Sequence, residues 1–136
     1  MSIDTAEQHF ALLIRPDYTF KILDWPSTSE SRDTLKTLYR EIECSLVAAV
    51  DITSKLTMWV DDEGICKNLP ANAPATRLYG LYQPLSQPYY GNAVFTGGTD
   101  PEGNTLGLNE DQAITVVLRH LDAIVHMPSS RQKHDD

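Results

Sequence analysis

The chain has 136 residues and carries 11 Lys plus Arg against 19 Asp plus Glu, a net charge of −8. That balance argues against counterion-releasing contact with DNA phosphates and against electrostatic attachment to an anionic membrane. Hydrophobic residues at 41% and charged residues at 22% lie outside the disordered regime and suffice for one compact core.

Residues 1–8 are polar and read as a flexible N-terminus. The apolar run from Phe10 to Arg15 is ended by Pro16, and Tyr18, Phe20 and Ile22 alternate over 18–24, so the two segments predict a hairpin. Acidic Asp4 and Glu7 ahead of the first apolar run are wrong for a signal peptide, and the longest apolar runs are too short to cross a bilayer. Ser29 or Ser31 is the expected cap of a helix reaching Ile42, with Leu35, Leu38, Tyr39 and Ile42 as its apolar stripe.

Residues 43–51 and 55–61 predict a second hairpin. In its second strand Leu56, Met58 and Val60 share one face and Trp59 takes the other, so Trp59 is expected more than half buried, covered by the segment around Asn72. Asp61-Asp62-Glu63-Gly64 closes the hairpin as a polar turn in which Gly64 supplies a positive φ. Pro70, Pro74, Pro84 and Pro88 break up the middle of the chain, although a short helix fits 73–79 with Pro74 in its first turn. Residues 91–96 read as a fifth strand, ended by Gly97-Gly98 and a polar loop over 99–105. Asn109 and Gln112 have capping-box spacing. The helix they open, from Glu110 to His126, carries Ile114, Val117, Leu118, Leu121, Ile124 and Val125 as its apolar face, widened by Ala113 and Val116. Residues 129–136 read as a flexible tail, leaving 9–128 as a single domain. The element order predicts an α+β fold: a mostly antiparallel sheet of about five strands with two main helices on one face.

The residues offer little reactive chemistry. His120 and His126 would project roughly 120° apart on a helix, and Cys44 and Cys66 lack zinc-ligand spacing, so no metal site and no cofactor are expected. Two cysteines without a disulfide framework point to a reducing cytoplasm. There is no Gly-x-Ser-x-Gly turn, and Asp61-Asp62-Glu63 lacks the spacing of a calcium loop, so the chain is not expected to be an enzyme. Tyr79, Tyr82, Tyr89 and Tyr90 crowd a proline-bearing stretch and read either as a recognition surface or as a satellite core under a loop. No Lys or Arg occurs between Leu78 and Leu118, where Asp100, Glu102, Glu110 and Asp111 add negative charge. This end is either a solubility surface or a face matched to a basic partner. Gly97-Gly98 is a plain turn or an anion nest, which would work with Asn72 and Arg77 around a small ligand.

Three segments then carry a family resemblance. Trp59 to Gly64, Leu69-Pro70-Ala71-Asn72-Ala73-Pro74-Ala75-Thr76 and Gly91-Asn92-Ala93-Val94-Phe95-Thr96-Gly97, with Ala11 to Pro16 ahead of them, resemble the uncharacterised family DUF3846 in order and layout from about Phe10 to Gln112. The resemblance implies an accessory protein of bacteria and their phages and plasmids, sometimes near anti-restriction genes, and no known activity.

The expected function is a non-enzymatic phage- or plasmid-type accessory protein that binds and inhibits a host protein, a defence protein above all. Tyr79, Tyr82, Tyr89, Tyr90, Asp100 and Glu102 are the expected partner-binding residues. The alternative is a sponge for a nucleotide signal built on Asn72, Arg77, Gly97 and Gly98, and a third reading is an acidic DNA mimic. Direct nucleic-acid binding and membrane attachment are not expected. The helix from Glu110 to His126 is a candidate homodimer contact, because one sheet covers only one side of it.

Overall fold

The computed structural model describes residues 8–25, 31–85 and 87–125. The proposed Ser29 cap, the N-terminal residues through Glu7, His126 and the tail lie outside them. Five strands form one sheet: β1 (Phe10–Ile14), β2 (Phe20–Asp24), β3 (Val47–Thr53), β4 (Leu56–Asp61) and β5 (Ala93–Thr96). Their order is β2-β1-β5-β4-β3, every neighbouring pair antiparallel. The fold is α+β, with three helices among the described residues: α1 (Ser31–Ile42), α2 (Ala73–Gly80) and α3 (Glu110–Val125).

The helices do not share a face. Alternation along β1 sends Leu12 and Ile14 into a cluster with Ala75 and Leu78 of α2 and Ala113 and Val116 of α3. Ala11 and Leu13 point the other way, to Leu38 and Ile42 of α1. The expectation of one helical layer is thus corrected to helices on both sides. The sequence hint was the unbroken apolar run of β1, which marks a strand buried on both faces.

Several local expectations shift accordingly. In α1, Leu35 is exposed while Thr34 and Thr37 are buried beside Leu38. Thr37 donates its hydroxyl to the Asp33 carbonyl, which lets a polar residue sit on the inner face. Trp59 is largely buried as expected, but on the α1 side, where its indole N–H donates to Thr96 Oγ1 at 3.0 Å. The segment around Asn72 therefore does not cover it. Gly64 lacks the expected positive φ; it is small because a Cβ there would lie 3.1 Å from the Tyr90 carbonyl oxygen. The capping box of α3 forms in full: Asn109 N–H donates to Gln112 Oε1 and Gln112 N–H to Asn109 Oδ1.

Candidate binding surfaces

Asn72 is the knot of the loop region. Its Nδ2 donates to the carbonyls of Ile14 (2.9 Å) and Gly91 (2.8 Å), and its Oδ1 accepts from Ala75 N–H, capping α2. It is 0% exposed, so its role is to tie the end of β1, the turn before β5 and the start of α2 together. Beside it Arg15, Pro16, Ile42, Leu69, Pro70, Gly91 and Asn92 line a cavity of about 340 Å³. The segments that carry the family resemblance thus meet at one end of the sheet. Arg15 is held there by a bond from its guanidinium to Thr19 Oγ1, and Asn92 Nδ2 donates to the Glu41 carbonyl at the end of α1.

The glycine pair lies at the other end of β5. Gly97 N–H donates to the Leu106 carbonyl, and Gly98 accepts from Leu106 N–H. A Cβ on Gly98 would sit 2.1 Å from the Ser54 carbonyl oxygen, so these glycines let three backbone segments touch. Asn72 and Gly97-Gly98 are separated by the length of a strand, roughly 13 Å. The residues named for a nucleotide site are not brought together: Asn72 is enclosed, Arg77 lies in α2, and the Gly97 N–H bonds to backbone.

The tyrosines divide. Tyr89 is buried and meets the Tyr79 ring edge-on at 5.4 Å; Tyr79 and Tyr82 pack on the same cluster. Burial pushes the Tyr89 and Tyr82 phenols up, and Arg119 lies over the Tyr82 ring at 5.3 Å. These three are mainly core under the proline-bearing loop. Asp100 is a loop organiser: its carboxylate accepts from Glu102 N–H, Asn104 N–H and Asn104 Nδ2, and the Asn104 backbone bond leads in holding its pKa low. Glu102 stands exposed on that loop.

Tyr89 and Tyr90 also border a groove of about 400 Å³ that residue spacing alone does not reveal. Its floor is Ala48 and Val50 of β3 with Val60 of β4, and its rim holds Ile65, Cys66 and Asp62. Asp61 is buried, accepting from Glu63 N–H and from Lys67 Nζ at 2.8 Å; that hydrogen bond raises the Lys67 pKa. Ile65 is 68% exposed, an apolar side chain standing in water. Among the described residues β3 is an outer strand, with ladder bonds on one side only, and it runs along this groove. The sequence carried no signal for the groove, because its floor and rim come from three separated segments.

Fold and surface together define, over the described residues, a small α+β domain with helices on both faces of an antiparallel sheet and an apolar groove along one outer strand. The chain belongs to the family described as domain of unknown function (DUF3846), whose model matches residues 8–122. No curated protein and no solved structure is detectably similar to it. Among the described residues no helix is long and apolar enough to cross a membrane.

Proposed function

We propose that the protein is a non-enzymatic binding protein that takes an extended segment of a partner protein along β3. The groove beside this outer strand carries the reading: a strand edge left open by the described residues, an apolar floor and the exposed Asp62 at the rim. An added strand would bond to the β3 backbone and place alternate apolar side chains over Ala48 and Val50. Basic residues of the segment would face Asp62 and the exposed Asp51. Tyr90 and Ile65 supply contact area at the wall. The mobile-element setting implied by the family resemblance makes a host protein, inhibited by loss of its own strand pairing, the expected partner.

The test is capture from host lysate followed by titration of the captured protein. Ile65→Asp and Asp62→Lys should each weaken binding at least tenfold, with melting temperature unchanged because both side chains are exposed. Added salt should weaken wild-type binding through the Asp62 contribution. Capture indifferent to both substitutions would overturn the groove; capture of no protein would overturn the function.

A further inference from the structure

We infer that the outer face of α3 is a two-fold interface with a second copy of this chain, its helices antiparallel. The helix rests on the sheet and on α2 through Ala113, Val116, His120 and Ala123. Roughly 150° around the helix, Ile114, Leu118, Leu121 and Val125 form a second apolar stripe that faces water, with Leu118 60% and Val125 75% exposed. Their spacings of four, three and four residues are those of a coiled-coil seam. Ile22, on the outer strand β2, stands beside the stripe and lines with it a shallow apolar cavity of about 260 Å³.

The area matches a dimer. The five side chains together expose on the order of 500 Å², near the upper end for the largest apolar patch of a monomer. Two copies face to face would cover about 1,000 Å² before any flanking residue is added, where specific interfaces begin. The stripe is also self-complementary. In an antiparallel pair Leu118 meets Leu121 of the second copy and Ile114 meets its Val125, and two-fold symmetry repeats both contacts. Charge selects this direction, since a parallel pair would set the acidic first turns, Glu110 and Asp111, against each other. The inference is independent of the β3 groove: β2 and β3 are opposite edges of the sheet, so a dimer built beside Ile22 leaves both grooves open.

Sedimentation equilibrium on the full chain from about 1 to 100 µM should show a dimer, and Leu118→Lys should raise its Kd at least a hundredfold with an unchanged far-ultraviolet spectrum. Val116→Glu is not a suitable probe, because Val116 faces the core. In a Cys44→Ala, Cys66→Ser background, Leu118→Cys with Leu121→Cys should form an intermolecular disulfide. Ile114→Cys alone should not, since antiparallel pairing holds the two copies of that residue roughly 16 Å apart. A wild-type chain that stays monomeric throughout, a dimer that survives Leu118→Lys, or ready crosslinking through Ile114→Cys would each overturn the inference.

Discussion

Asn72 joins three separate pieces of backbone, and its chemistry explains why no other residue type serves there. Two carbonyls need a donor and one N–H needs an acceptor, and only a carboxamide offers both within one short side chain. Asn72→Ala should cost about 3 kcal/mol in chemical denaturation, more than a typical surface cap, because two carbonyls and an N–H would be stranded in a dry site. A loss under about 1 kcal/mol would mean that water replaces the side chain. The Asp61–Lys67 pair is a second local fixture. Its carboxylate is enclosed but its ammonium is partly in water, so it positions the turn before the groove more than it stabilises the fold. Cys44, close by, is held protonated chiefly by burial and secondarily by the Asp61 charge.

At the level of the element, α3 shows how a correct helix can be assigned the wrong face. Its apolar residues cover well over half the circumference, so hydrophobic periodicity alone favours the arc with most Leu, Ile and Val. The sheet and α2 instead take the arc with Ala113 and Ala123, whose small side chains let the helix approach closely, and His120 is buried with them. Val117 packs partly on that cluster, while Ile114, Leu118, Leu121 and Val125 are left outside. His120 meets Phe20 edge-on at 5.3 Å, and neither ring nitrogen has a hydrogen-bond partner among the described residues. Burial lowers its pKa below the ordinary value of 6.5, so the folded chain holds it neutral. The unfolded chain binds the proton more readily, so stability is complete above pH 6.5 and falls as the pH drops below it. His120→Leu should remove that loss, and should stabilise by about 1 kcal/mol even at pH 7 because two unpartnered nitrogens go. Melting temperatures from pH 5 to 8 check this; a variant with the wild-type pH slope would show that His120 does not set it.

For the whole molecule, the two core clusters share the sheet as a common wall. Leu12 and Leu13, neighbours in β1, belong to different clusters, so neither side can unfold without exposing the other. Unfolding should therefore be a single transition. Trp25 and Trp59 both report from the α1 side, so their fluorescence should coincide with far-ultraviolet circular dichroism, which follows all the helices. Leu38→Ala on one side and Leu78→Ala on the other should each cost roughly 2–5 kcal/mol and move that one transition. Two separated transitions would show that the helical layers melt independently.

The strands, the helices and the α3 capping box were legible in the residues, because alternation, helical spacing and caps are local properties that each segment carries by itself. The family resemblance was legible for a similar reason, as ordered short motifs. Which face each helix covers was not, since β1 is apolar on both sides and α3 over most of its circumference; packing against Leu38 on one side and Leu78 on the other resolved it. The tyrosines likewise read as surface or core until the fold enclosed Tyr89 and left Tyr90 at a groove wall. Asn92, Ile65 and Val50 gave no sign of standing beside a cavity or groove, because each concavity is assembled from distant segments. Surfaces of that kind exist only once the chain has closed, and tertiary structure alone decides where they lie.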